Sequence, residues 1–309
     1  MRALITGATG YIGTGLARHL RAAGWDLHVL LRASSDPAKL TASLPDIECH
    51  RLAGANEGAA VALVERVRPD CVFHLASRIQ PSHTASEIEP LISSNVTLGV
   101  ELLEGLSRIN ADRRGEPPSV LVAAGTYWAY GPDGEDAPNT LYAASKRAFE
   151  SFLPFYARHR GVPGSSLVLY DVYGPHDPRG KLIPALVDNA LAPDGGTLAL
   201  SPGDQLMQLV FLDDVVRGFV MAAEGLQSSG IEPGRYCLDS GDPVSLKTLV
   251  AEIATAAGRA PAVEFGARPY PPNQIMVPLQ TGPRLPGWSP GVSLTQGLQA
   301  LLSARSEAP

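Results

Sequence analysis

The stretch Thr6-Gly7-Ala8-Thr9-Gly10-Tyr11-Ile12-Gly13 constrains the fold of this chain more than any other. It follows a short apolar run, Arg2-Ala3-Leu4-Ile5, that reads as a β-strand, and it opens a helical pattern from Tyr11 to Ala23. Ile12, Leu16 and Leu20 recur there four residues apart on one stripe. In that setting Gly7 permits a tight turn, Gly10 lets backbone N–H groups approach a ligand, and Gly13 lets the helix close on the strand. The helix N-terminus carries partial positive charge, so a dinucleotide diphosphate is the expected occupant. Thr9, Tyr11 and Ile12 belong to the same set of expected contacts. An isolated glycine pattern fits an ordinary loop equally well; the strand before it and the helix after it give this one its meaning.

The next strand, Asp26 to Leu31, runs into Arg32-Ala33-Ser34-Ser35. An acidic residue here would accept hydrogen bonds from the ribose hydroxyls of NAD, whereas an arginine accommodates the 2′-phosphate of NADP. Arg32 and Ser34 therefore predict NADP(H), although a strand-end arginine can also be merely solvated.

Tyr142 and Lys146 lie four residues apart in Tyr142-Ala143-Ala144-Ser145-Lys146, so on a helix they share one face. A lysine ammonium there favours the ionised phenol and is expected to lower the tyrosine pKa. Such a tyrosine can exchange a proton with a carbonyl near neutral pH. The bare spacing is common on surface helices; the cofactor turn upstream and Thr126, just past a predicted strand, make it informative.

Together these residues resemble the extended short-chain dehydrogenase/reductases, the family of NAD-dependent epimerases and dehydratases. Cys71-Val72-Phe73-His74-Leu75-Ala76 looks like the family's fourth strand, Asn95-Val96 like the opening of its long helix, and Val120 to Ala124 like its fifth strand. Tyr173-Gly174-Pro175 and Phe211-Leu212-Asp213-Asp214-Val215 are further landmarks, so the likeness covers nearly the whole chain. It implies a Rossmann-type doubly wound parallel sheet of the α/β class with a smaller substrate lobe. It also implies catalysis by Thr126, Tyr142 and Lys146, with the last two also touching the cofactor beside Leu75, Ala76, Asn95, Tyr170 and Val172.

Within the family, the later segments resemble the branch that reduces the 4-keto group of nucleotide-linked 6-deoxysugars, such as the abequose synthases. These are Gly180 to Pro184, Ser201 to Gln205, Phe265 to Tyr270, Asn273 to Met276 and Gly287 to Pro290. Substrate contacts are expected at Tyr127, His176, Arg179, Lys181, Met207 and Arg268. A 4,6-dehydratase carries Asp-Glu after its catalytic threonine; here Tyr127-Trp128 follows Thr126. The fucose-type epimerase-reductases add a cysteine near the catalytic serine and a later histidine; this chain has no cysteine near Thr126, and Lys181 stands at the histidine position. Three positions depart from the pattern. Met207 replaces an arginine that contacts the nucleotide diphosphate, Leu52-Ala53-Gly54-Ala55-Asn56 replaces an acidic motif, and Asp171 replaces an asparagine. Arg268 or Arg284 is a candidate substitute for the missing arginine.

The expected reaction is NADPH-dependent reduction of a keto-sugar, with Tyr142 supplying the proton. Two alternatives stay open: a nucleotide-sugar 4-epimerase with tightly bound NAD, and a non-catalytic sensor of the NADPH/NADP balance.

Composition excludes other classes. The formal charge of −6 offers no basic footprint for nucleic acid, and no run of about 18 apolar residues predicts a membrane span. No charged-then-apolar leader is seen, so a cytoplasmic protein is expected. Cys49, Cys71 and Cys237 are too scattered for a zinc site, and no metal is expected.

Alternating elements predict strands near 2–6, 26–31, 47–52, 70–75, 119–124 and 165–170, and helices over 11–23, 57–68, 88–109 and 141–159. The expected cofactor domain is 1–173, with returns at about 210–225 and 234–258; the expected substrate lobe is 174–209 and 259–309. Apolar faces on the last two helices (Leu98, Leu102, Leu103; Phe149, Phe152, Phe155) suggest a homodimer, or packing within the subunit.

Overall fold

Buried parallel strands read as nearly continuous apolar runs, because helices cover both faces of their sheet. Arg2–Thr6 (β1), Asp26–Leu31 (β2), Glu48–Arg51 (β3), Cys71–His74 (β4), Val120–Thr126 (β5) and Gly164–Leu169 (β6) form such strands, joined by an edge strand Arg235–Leu238. The computed structural model describes residues 1–52, 58–113, 115–131, 135–192, 194–278 and 280–306. Its main sheet is wholly parallel, in the order Arg235–Leu238, β6, β5, β4, β1, β2, β3. The strand order reverses between β1 and β4, so the crevice beyond their carboxyl ends is where such a sheet takes a ligand. Thr6 pairs with His74 at that point.

Two expected helices are interrupted. The 88–109 segment forms Ile88–Ile92, a π-helical turn Ser93–Thr97, and Leu98–Asp112. The extra residue of a π turn re-aims side chains, and this turn carries the wholly buried Asn95. The 141–159 segment divides at Ser151 into Leu141–Glu150 and Phe152–His159. Pro154 has no N–H to return to the Glu150 carbonyl, and its ring crowds that carbonyl.

Two large clusters line the faces of the sheet. Leu102, Leu103 and Phe149 are buried in one of them, which accounts for much of the expected apolar faces, while Phe152 and Phe155 reach solvent. A separate cluster joins Tyr173, Leu186, Phe211, Leu249 and Leu298 in the smaller lobe. Of the expected return over 234–258, Arg235–Leu238 joins the main sheet, whereas helix Leu246–Ala257 packs in this lobe. Its stripe Leu246, Leu249, Val250 and Ile253 matches helices Leu182–Leu191 and Leu294–Ser306. Conversely, Leu285 and Trp288, expected in the lobe, belong to the main core. No helix among the described residues is long and apolar enough to cross a membrane. The three cysteines are free thiols.

Candidate active site

Helix Leu141–Glu150 starts where the Thr140 hydroxyl accepts the Ala143 backbone N–H at 3.0 Å. Capped there, it turns Tyr142, Ser145, Lys146, Phe149 and Glu150 inward. The Tyr142 phenol lies near the side chains of Thr126, at the end of β5, and Ser77, just beyond β4, and both favour its ionised form. Thr126 Oγ1 also accepts the Trp128 backbone N–H at 3.3 Å, which orients it. Thr126 ends β5, and Tyr142 and Lys146 lie on the buried face of the helix that packs against it.

The charge balance differs from the sequence expectation. Burial raises the Tyr142 pKa, and the nearby Thr126 and Ser77 side chains only oppose the rise. Lys146 is itself buried, which lowers its pKa to about 8, with Glu150 pulling it back up. Desolvation disfavours each charged form, and here it sets the direction of both shifts. Burial also holds His74 neutral, at about 3, with Lys146 acting in the same direction.

Beneath the site a hydrogen-bond frame fixes the helix to the sheet. Asn95 Oδ1 accepts from the Ser77 hydroxyl at 3.2 Å and the Arg78 backbone N–H at 2.7 Å. Its Nδ2 donates to the Arg78 carbonyl at 3.1 Å and to Ser145 Oγ at 2.9 Å. The π turn thereby ties the segment after β4 to the helix that carries Tyr142.

The glycine turn is shaped by close approach. Gly7 has φ +73°, and a Cβ there would lie 2.7 Å from the Ala76 backbone nitrogen. A Cβ on Gly13 would fall 2.2 Å from the Gly7 carbonyl oxygen. Thr14 Oγ1 donates to the Ala8 carbonyl at 3.0 Å and locks the turn. Helix Tyr11–Ala22 begins at Gly10 without a side-chain cap, leaving its first N–H groups for a ligand. Ala76 N–H donates to Thr6 Oγ1 at 3.0 Å, so Leu75 and Ala76 line the same corner. Arg32 and Ser34 lie exposed on the turn after β2. Arg51 braces that turn, its Nη1 donating to the carbonyls of Arg32, Ala33 and Ser35 at 3.0–3.3 Å.

On the substrate side, the rings of Tyr127 and Tyr170 stack at 5.2 Å. The Asp171 carboxyl lies near the Tyr127 phenol, and burial pushes its pKa up to about 6 against the pull of Lys181, Tyr127 and Arg179. Val172 pairs with Val210, and its carbonyl accepts from Arg179 Nη2 at 2.9 Å. Arg179 is further engaged by Asp177 and lies 4.5 Å from the centre of the Tyr11 ring. It therefore acts as a strap between the loop after Tyr173 and the cofactor helix. His176 is exposed with φ +58°, and Lys181 begins helix Leu182–Leu191. Met207 packs against the lobe's apolar cluster, in a strand paired with Val244–Ser245. Arg268 is exposed, whereas Arg284 is committed to the buried Asp239. The replaced acidic motif at 52–56 falls almost wholly outside the described residues.

Sequence reasoning missed Ser77, Thr14, Arg51 and the support from Asn95 to Ser145. Ser77 had a usable signal, since it directly follows a strand end facing the switch point. Arg51 had none, because its role depends on β3 lying beside β2.

Lys146 Nζ is buried without a hydrogen-bond partner. A buried ammonium left so is costly unless a ligand completes it. With the side-chain-free helix start at Gly10, this donor set fits a nicotinamide dinucleotide, its diphosphate at the turn and its ribose at Lys146. The fold and the glycine turn define a dinucleotide-binding α/β protein of the Rossmann type. The chain belongs to the NAD dependent epimerase/dehydratase family, whose profile matches residues 3–235. It is 29% identical over 310 residues to the UDP-glucose 4-epimerase of Mycolicibacterium smegmatis, covering 96% of each chain. Over 221 residues it is 27% identical to the CDP-abequose synthase of Yersinia pseudotuberculosis, covering 71% of this chain and 72% of that one. The structure of a Thermus thermophilus UDP-glucose 4-epimerase with NAD superposes with a TM-score of 0.76 at 25% identity, over the full length of both.

Proposed function

We propose that this chain reduces the keto group, at the 4-position, of a nucleotide-linked deoxysugar, using NADPH. The observation that carries the reading is the buried Tyr142 phenol, with the side chains of Thr126 and Ser77 acting on it, on the same buried helix face as the unpartnered Lys146 amine. A bound nicotinamide would supply the hydride. Thr126 orients the substrate carbonyl, and Tyr142 Oη passes its proton to the carbonyl oxygen as negative charge develops there. Lys146 holds positive charge near the phenolate that remains. Exposed Arg32, on a turn braced by Arg51, supports a 2′-phosphate over a bare ribose. The abequose-synthase relative supports the reductase reading, and Phe152 and Phe155 support a dimer face.

A second reading, 4-epimerisation with recycled NAD, is favoured by the M. smegmatis relative, which matches over almost the whole chain. Incubation with 4-keto nucleotide sugars and NADPH, followed by the loss of the reduced cofactor's absorbance, separates the two. Stoichiometric NADPH oxidation supports reduction. Interconversion of UDP-glucose and UDP-galactose without net cofactor consumption supports epimerisation.

A further inference from the structure

Away from the glycine turn, β2 and β3 bring three donor side chains together. In the parallel register His28 lies opposite Glu48, and Leu30 opposite His50. Side chains two apart on a strand share a face, so Glu48 and His50 flank His28. His28 Nδ1 and His50 Nε2 are 3.0 Å apart, with the rings stacked at 5.2 Å and 10°. Glu48 Oε2 is 3.4 Å from His28 Nδ1, and Glu48 Oε1 is 3.6 Å from His50 Nε2. A tetrahedral ion with metal–ligand bonds of about 2.05 Å has donor–donor edges of about 3.3 Å. The nitrogen–nitrogen separation and the two carboxylate contacts, made through different oxygens of Glu48, scatter about that value, and one ligand atom from each residue lies within 4.8 Å of the other two.

We propose that His28 Nδ1, His50 Nε2 and a Glu48 carboxylate oxygen form a binding site for a zinc-class divalent cation that clamps β2 to the edge strand β3. Both imidazoles are nearly buried while Glu48 is largely exposed, which leaves the fourth position to solvent. Asp26 Oδ2, 3.5 Å from His28 Nε2, is placed to accept that nitrogen's proton in a hydrogen bond and so free Nδ1 for the metal. Asp26 also takes Arg2 Nε at 2.7 Å.

One neighbour opposes the site. Arg66, on helix Ala59–Val67, sets Nη2 3.4 Å from His50 Nδ1. Without metal the groups form a donor chain from Arg66 through His50 and His28 to Asp26. Metal at His50 Nε2 moves the imidazole proton to Nδ1, where it meets a second donor, so Arg66 must turn away. Cys49, between Glu48 and His50, faces the opposite side of the strand and takes no part.

The test is Zn²⁺ titration of the chelator-stripped full-length protein by calorimetry, with Co²⁺ absorption as an independent report of tetrahedral geometry. One equivalent should bind per chain. His28→Gln and His50→Gln should each weaken binding at least about tenfold. Cys49→Ser should leave it unchanged, and Arg66→Gln should tighten it, because the introduced amide can accept the Nδ1 proton. Thermal unfolding of each variant checks that it folds, and Zn²⁺ should raise the wild-type midpoint but not that of His50→Gln. Absence of binding to wild type, or isotherms unchanged by both histidine substitutions, overturns the site.

Discussion

Lys146 and Glu150 sit one helical turn apart with opposite fates. The lysine Nζ has no hydrogen-bond partner, while the glutamate carboxylate accepts from Tyr130 Oη and Ser166 Oγ, each at 2.6 Å. Glu150 is therefore held in place, and its charge raises the Lys146 pKa against the larger lowering by burial. The helix carries at one position the group that must stay charged and four residues on the group that keeps it so.

That arrangement predicts a pH profile. Lys146 loses its proton as pH rises through about 8, so reduction should decline on that alkaline limb. Glu150→Gln keeps one accepting oxygen for Tyr130 or Ser166, whose partner hydroxyl then accepts from the amide, and removes the negative charge. The Lys146 pKa then falls, and the limb should move to lower pH. The pH dependence of kcat/KM for both proteins reads this directly; coincident limbs would show that Glu150 does not act on Lys146.

Tyr142→Phe removes the proton donor and leaves the ring. Turnover should fall by about 10²–10⁴-fold, while the dissociation constant for NADPH, read by fluorescence, stays within a few-fold of wild type. Thr126→Ser keeps the hydroxyl and should retain much of the activity. Full turnover without the phenol would remove Tyr142 from the chemistry.

Arg32→Ala tests cofactor choice. A charge-assisted hydrogen bond contributes about 1.5–3 kcal/mol, so NADPH affinity should drop roughly 10- to 100-fold. NADH affinity should barely change. Equal losses for the two would place Arg32 away from the phosphate.

Asp171 makes a stability prediction. Its folded pKa, about 6, lies above the ordinary 3.8, so the folded state holds the proton more tightly than the unfolded state. Stability contributed by the neutral acid is present below about pH 4 and is lost as pH rises through about 6. Asp171→Asn should therefore stabilise the protein at about pH 7–8, by on the order of 2 kcal/mol, with little effect near about pH 3. Denaturant unfolding at both pH values measures the difference.

Gly13→Ala should destabilise the fold, because the added methyl would overlap the Gly7 carbonyl at 2.2 Å and force the turn open. Overpacking of this kind costs about 1–3 kcal/mol. Gly196→Ala is the control, since nothing lies within 4 Å of the added carbon. A thermal midpoint lowered only in the first variant is the expected result.

Much of the fold was legible because its rules are local. Apolar runs such as Ala3-Leu4-Ile5 and Val72-Phe73 report buried parallel strands, and Tyr142 with Lys146 reports one helix face. The interruption at Pro154 follows from one residue and could have been read in advance. The π turn could not, because Asn95 is held through Ser77, Arg78 and Ser145, up to 50 residues away.

Local spacing brought Tyr142 and Lys146 onto one helical face, and the glycine turn marked the strand–turn–helix unit at the start of the sheet. Spacing carries no information about burial, however, and burial reversed the expected electrostatics by raising the phenol and lowering the ammonium. Cross-strand register placed His28 beside Glu48 and His50, Arg51 beneath the Arg32 turn, and Thr6 against His74. Those pairings depend on which strand lies beside which and in what alignment. Chain folding sets both through the packing of the whole sheet, so no short window of residues contains them.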